Sequence, residues 1–465
     1  MHFNIIIRSL FVMLLFSCTA CNNIQSQNER PNIVIIMTDQ QTAKAMSCAG
    51  DKDLNTPAMD FLASNGTRFT QAYCPQPLCG PSRSSMLTGQ LPSQLDASIN
   101  LKEQKGYWEN KEVDVLGKVL KNGGYNTGYI GKWHLPISVD EIDFHGFDYI
   151  VNTKERDWQD ASIPADCYSF LSKQTKEHPF LMVASFINPH DICEWARKQS
   201  LRMDLIANPP FPEDCPSVPE NYAIPEGQPD ILDYVQSLSF KTYPTKGWEK
   251  DDWRQYRWAY NRLVERVDQY IGHVIHTLDK KNLLDNTVIV FLSDHGDGVG
   301  SHQWNQKQVL YQEAINVPFI VSDFTKKNAG VNEQQIVNLG LDLIPTICDY
   351  AQIEQPASMK GESQKKYVES PEQYNADKMT VIQTTFASGI NSSGITGRAI
   401  IYGDWKYIVY SDGEKRDQLF NLKTDTGEMN DLVENKENEK NRKDLKRKLY
   451  NWCQETKDPF IKYLK

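Results

Sequence analysis

Four apolar runs dominate the chain, and each ends in charged or imidazole side chains. Asn32-Ile-Val-Ile-Ile-Met-Thr38 runs into Asp39, and Thr127-Gly-Tyr-Ile-Gly131 into Lys132. Phe180-Leu-Met-Val-Ala-Ser-Phe186 stops just before Asn188-Pro189-His190, and Thr287-Val-Ile-Val-Phe-Leu-Ser293 stops at Asp294-His295. Near-continuous apolar runs of this length suit strands covered on both faces of a parallel sheet. Ligands of open α/β sheets bind outside the carboxyl ends of the strands. The four runs therefore predict one rim carrying Asp39, Lys132, His190 and Asp294. Helical periodicity lies between them: Leu263, Val264, Val267, Tyr270, Ile271, Val274, Ile275 and Leu278 follow i, i+3, i+4 spacing, which predicts a helix packed on the sheet. Residues 112–123 read as a second helix with a glycine stop.

The pattern changes elsewhere. Residues 208–247 are Pro-rich with little periodicity, as in a long irregular insertion of the kind that forms binding loops. Residues 361–379 are polar. After them 396–402, 405–410 and 418–422 read as antiparallel strands, and 431–449 as a heavily charged helix. The expected organisation is a larger catalytic domain over 31–370 and a smaller α+β subdomain over 371–465.

The N-terminus reads as a targeting segment. Arg8 gives a weakly basic n-region, Ile5–Phe16 is mostly apolar, and small residues follow. The stretch is too short for a stable membrane span. Ser17-Cys18-Thr19-Ala20-Cys21 resembles a bacterial lipoprotein cleavage box, with Cys21 the expected lipidated residue and Cys18 the alternative. Residues 1–21 are thus expected to be a signal peptide and 22–30 a polar tether. Export to the periplasm, or anchorage at the outer membrane through that lipid alone, follows as an expectation.

With 465 residues and 40% hydrophobic content, the remainder can bury a large core. The net charge of -10 gives no basic face for nucleic acid. An acidic protein that handles an anion must gather its positive charge locally. The cysteines beyond the leader (Cys48, Cys74, Cys79, Cys167, Cys193, Cys215, Cys348, Cys453) have neither disulfide-framework nor zinc-site spacing.

Residues 79–89, Cys-Gly-Pro-Ser-Arg-Ser-Ser-Met-Leu-Thr-Gly, carry the chemistry. Pro81 suits the first turn of a helix and Gly89 its end, so Cys79 belongs at a helix N-terminus, where anions are favoured. The spacing Cys-x-Pro-Ser-Arg followed by Leu-Thr-Gly resembles the site at which sulfatases oxidise a cysteine to formylglycine. Seven positions match, and a chance match in such a chain is on the order of one in 10⁵ or rarer. The resemblance to the type I sulfatases of the alkaline phosphatase superfamily extends along nearly the whole chain after the leader. Pro31–Gln40 resembles the first strand and its metal-binding acid, with Gln40 where many members have a second Asp. Gly131-Lys132-Trp133-His134 and Asn188-Pro189-His190 are similar to two further family elements, although Asp191-Ile-Cys-Glu departs from the usual continuation. Ser293-Asp294-His295-Gly296-Asp297 resembles the second metal element, with His295 where many members have Asn. His302 and Lys307 match a later His and Lys. Asp342–Thr346, Trp405-Lys406-Tyr407 and Asp425–Leu432 resemble late landmarks.

That resemblance implies an alkaline-phosphatase-like α/β fold, with a mixed, mostly parallel sheet sandwiched by helices and a smaller C-terminal antiparallel sheet plus helix. It also implies a hydrated aldehyde at position 79, one hydroxyl attacking sulfur and the other expelling sulfate. A maturation enzyme that makes formylglycine is an implied partner. One divalent cation, Ca²⁺ first and Mg²⁺ or Mn²⁺ as alternatives, would be held by Asp39, Gln40, residue 79, Asp294 and His295. Lys132, Lys307 and Arg83 would hold the sulfate oxygens and the diol. His134 would be the base for sulfate release and His190 the acid for the leaving alcohol, with His302 its rival. The expected substrate is a sulfated oligo- or polysaccharide, algal or derived from glycosaminoglycan. The competing readings are a phosphodiesterase or phosphonate monoester hydrolase of the same superfamily, and a non-catalytic glycan-binding lipoprotein. His145, His178, His273 and His276 read as structural. Packing is the expected role of Trp253, Tyr256 and Trp258, with stacking on sugars the alternative, and a structural or surface role that of Arg398 and Lys406, with substrate contact the alternative.

Overall fold

A computed structural model describes residues 30–152, 160–201, 206–238, 244–326, 328–388 and 391–465. The leader, Cys18, Cys21 and the tether up to residue 29 lie outside the described residues. Eight strands form the main sheet: β1 (Asn32–Asp39), β2 (Thr67–Phe69), β4 (Asn126–Gly131), β5 (Tyr149–Asn152), β6 (Phe180–Pro189), β7 (Thr287–Ser293), β8 (Phe319–Asp323) and β9 (Gly330–Asn332). β3 (Ala72–Tyr73), between β2 and β4 in sequence, pairs with β10 (Val337–Asn338), which follows β9, in a separate two-stranded ribbon. The order in the main sheet is β5-β4-β6-β1-β7-β8-β2-β9. Strands β5, β4, β6, β1 and β7 run parallel, and β8 is antiparallel to both neighbours.

All four apolar runs are strands of the parallel part, and β1 sits at its centre. Alternate residues of β1 face opposite cores: Ile33, Ile35 and Met37 join one cluster, Val34 and Ile36 the other. This two-sided burial explains why the runs are continuous rather than alternating. The long helix Lys250–Lys280 covers one face through Leu263, Val264, Val267, Ile271, Val274, Ile275 and Leu278, as its spacing predicts. It begins at a capping box in which Glu249 and Asp252 exchange bonds with each other's backbone N–H. The helix Leu339–Ala351 covers the other face.

After residue 378 come β11 (Met379–Ser388), β12 (Asn391–Tyr402), β13 (Trp405–Tyr410) and β14 (Asp417–Asn421), a four-stranded antiparallel meander. The helix Glu439–Thr456 packs Leu445, Leu449 and Trp452 on it. The expected helix over 431–449 thus starts later and runs further, because Asp431 instead caps a turn by accepting from Leu419 and Val433 N–H groups. The helix expected over 112–123 is confined to Leu116–Asn122. Among its described residues, the insertion over 208–247 holds one α-helix, Asp230–Leu238, which lack of periodicity upstream had hidden. Lys406 is not a surface residue but fully buried against Glu428 at 2.6 Å, and Arg398 pairs with Asp458 at 2.9 Å. Every described cysteine is free. No helix among the described residues is long and apolar enough to cross a membrane.

Candidate active site

The rim beyond β4, β6, β1 and β7 is where the side chains meet. Cys79 begins the helix Cys79–Thr88, which ends at Gly89 in a left-handed conformation (φ 67°). Asn100 accepts the Gly80 N–H at 2.9 Å, so one N-terminal donor of this helix is already engaged. Ser82 Oγ donates to the Asp294 carbonyl at 2.6 Å and ties the helix to the end of β7.

Five side chains gather around the Cys79 sulfur. Lys307 Nζ lies 3.0 Å from Sγ, His295 Nε2 3.2 Å and Asp39 Oδ1 3.7 Å. His134 and His190 also face the same thiol, closely enough for it to raise their pKa values against the effect of burial. Burial opposes ionisation of Cys79, but Lys132, Lys307 and His295 outweigh it and hold the thiol well below its usual range. The same negative charge, against the cost of burial, raises Lys307.

Asp39, Cys79, Asp294 and His295 place one ligating atom each within 4.8 Å of one another, all buried. His295 donates its Nδ1–H to the Gly296 carbonyl at 2.9 Å, which leaves Nε2 facing Asp39 Oδ1 at 3.8 Å and Asp294 Oδ1 at 3.7 Å. A backbone carbonyl fixing the far ring nitrogen is the usual support of a metal-binding histidine. Two carboxylates, an imidazole and residue 79 thus fit a divalent cation. Burial and the negative Asp39 push Asp294 up to about 6, whereas Lys132, His190 and Arg83 hold Asp39 far below its usual value despite its burial.

Arg83 differs from its expected role. It is wholly buried and turned towards the protein: Nε to Asp294 at 2.7 Å, Nη2 to Asp39 at 3.0 Å, and Nη1 to the Lys132 carbonyl and Ser185 Oγ. It braces the two carboxylates. Lys132 Nζ also bonds Asp39. Gln40 lies beside the cluster, with its amide oxygen accepting from Lys307 at 3.0 Å and its amide N–H donating to Asp297 at 2.7 Å. His302 is engaged elsewhere. Its backbone is left-handed (φ 53°), its Nε2–H donates to the Gly427 carbonyl at 2.8 Å, and its ring packs on Tyr311. Asp297 and Ser185 are participants that the sequence reading missed. Asp297 also accepts from Tyr256, and its place in Asp294-His295-Gly296-Asp297 was the available signal.

A mostly parallel sheet between helices, with a buried cluster of carboxylates, imidazole and lysines around a helix-start cysteine, defines an alkaline-phosphatase-like ester hydrolase. The family model "Sulfatase" matches residues 31–353, more than half of the chain, and the model "N-sulphoglucosamine sulphohydrolase, C-terminal" matches residues 300–455. The chain belongs to the sulfatase family and is a sulfuric ester hydrolase. Over 436 residues it is 27% identical to the Delta 4,5-hexuronate-2-O-sulfatase of Bacteroides thetaiotaomicron, covering 89% of this chain and 86% of the relative. It is 28% identical over 495 residues to the Ulvan-active sulfatase of Formosa agariphila, covering 98% and 88%. A sulfatase structure from Bacteroides thetaiotaomicron superposes with a TM-score of 0.80 at 24% identity, covering 93% and 94% of the two chains. These relatives favour the sulfatase reading over a phosphodiesterase or phosphonate hydrolase.

Proposed function

We propose that this protein removes sulfate from a sulfated carbohydrate, using formylglycine made from Cys79 by a maturation enzyme. The observation that carries the reading is the convergence of Lys307, His295, Asp39, His134 and His190 on one buried sulfur. The carbohydrate class rests on the relatives, one acting on a hexuronate 2-O-sulfate and the other on ulvan.

Asp39, Asp294, His295 and residue 79 would hold the cation, with Gln40 beside them. Oxygen donors favour Ca²⁺, and the imidazole admits Mn²⁺. When bound, the cation would supply Lewis acidity to sulfate oxygens and lower the pKa of the hydrated aldehyde. Lys132 and Lys307 supply fixed positive charge to the sulfate. His134, lowered by burial, is neutral and suited to take a proton from position 79. His190 is pushed down to about 4 by burial, Lys307 and Lys132. It takes up its proton as the negative sulfate enters, then gives it to the leaving alcohol. Residues 1–21 direct export in this proposal, and Cys21 carries the lipid; a C21A chain that still labels with fatty acid would move the lipid to Cys18.

The test is sulfate release by matured protein from a panel of sulfated saccharides of glycosaminoglycan and algal origin. Release from at least one saccharide is expected. Activity confined to phosphate or phosphonate esters would overturn the reading.

A further inference from the structure

Gln308, next to Lys307, has every polar group engaged. Its N–H donates to the Pro77 carbonyl at 2.9 Å, and its carbonyl accepts from Thr384 Oγ1 at 2.6 Å. Its side-chain amide grips one residue by both ends: Nε2 donates to the Ala387 carbonyl at 3.0 Å, and Oε1 accepts the Ala387 N–H at 2.6 Å. Ala387 stands where the β11–β12 register shifts. The amide thus acts as a strand partner for β11, the edge strand of the C-terminal sheet. Further along the same edge, the Gln383 N–H donates to the Pro75 carbonyl at 2.9 Å.

Gln308 is buried, and its φ is 78°. Glycine adopts such a backbone without cost, whereas glutamine does not. A strained residue persists where its surroundings over-determine it, and such residues gather at functional sites. Here the surroundings are Pro77, two residues before Cys79, and Thr384 and Ala387 of β11, while Lys307 is the preceding residue of the chain.

We propose that Gln308 is a positioning residue that holds Lys307 against position 79, making the C-terminal sheet a working part of the site. The proposal rests on the reading that Lys307 acts at position 79. Pro77 and Lys307 are tied through one residue, which fixes the approach of the ammonium to the reacting group. The two-ended amide grip prevents that residue from turning.

The experiment compares wild type, Gln308→Gly, Thr384→Val, Lys307→Ala and the two double variants with Lys307→Ala. Each is the matured full chain, assayed for kcat/KM on 4-nitrophenyl sulfate and for thermal unfolding. Glycine suits the left-handed backbone, so Gln308→Gly is expected to fold. Its kcat/KM is expected to fall about 10- to 100-fold, as for a misplaced catalytic group. In the Lys307→Ala background the same change is expected to have an effect of about twofold or less, because the two act as one unit. An equal loss in both backgrounds, or wild-type kcat/KM in Gln308→Gly, would overturn the proposal. Should Gln308→Gly not fold, Thr384→Val decides by the same comparison, with a smaller loss expected. Full activity of Lys307→Ala would overturn the lysine assignment beneath the proposal.

Discussion

Arg83 and His190 both belong to the cluster around position 79, Arg83 through its carboxylates and His190 through the thiol. Arg83 neutralises Asp39 and Asp294 from behind, where no water reaches. Removing one partner of a buried ion pair typically costs about 3–5 kcal/mol. Arg83→Met is therefore expected to lower unfolding free energy by about that amount, read from urea titration; an unchanged midpoint would show that the carboxylates do not need it. His190→Ala is expected to slow alkyl sulfates far more than activated aryl sulfates, because only the poor leaving group needs a proton. Equal losses on both would remove His190 as the acid. At this scale the motif made Cys79, Lys132 and Lys307 legible. It did not reveal that Arg83 faces the carboxylates, since a motif fixes spacing and not direction. The direction of His302, the rival acid, was not legible either, because its left-handed backbone, which aims the ring at Gly427, leaves no trace in residue order.

At the scale of elements, the parallel strands were legible because burial on both faces makes their runs continuous. Strand β11 was not, since much of what holds it is contributed by Pro75, Gln308 and Ser93, distant in sequence. The Lys406–Glu428 pair fastens β13 to the turn that carries Gly427. Burial lowers Lys406 and raises Glu428, and each charge partly offsets the shift of the other. Lys406→Met is expected to cost about 3–5 kcal/mol, and Lys406→Met/Glu428→Gln much less; a double variant as weak as the single would contradict the pairing. Asp268 caps the helix Pro57–Ser64 by accepting from the Ala58 and Met59 N–H groups, and burial raises its pKa from 3.8 to about 6. A raised folded-state value means that the folded protein holds this proton more tightly. The associated stability is full below about pH 3.8 and is lost as pH rises through about 6. Asp268→Asn should therefore gain on wild type across that window in thermal unfolding. A constant difference would contradict the shift.

Across the whole molecule, a chain of net charge -10 concentrates Arg83, Lys132 and Lys307 at one rim, as handling an anion requires. The acidic ligands at that rim depend on a cation in this account. Exhaustive chelation is expected to abolish turnover, with recovery on adding back Ca²⁺ or Mn²⁺; full activity without metal would exclude the cation's role. The central claim is that the working group at position 79 is not the encoded cysteine. The most direct measurement follows turnover against the fraction of chains converted at Cys79, read by peptide mass, in preparations made with and without the maturation enzyme. Turnover should rise in proportion to conversion and vanish in chains whose Cys79 is still a thiol. Full turnover by unconverted protein would contradict the account.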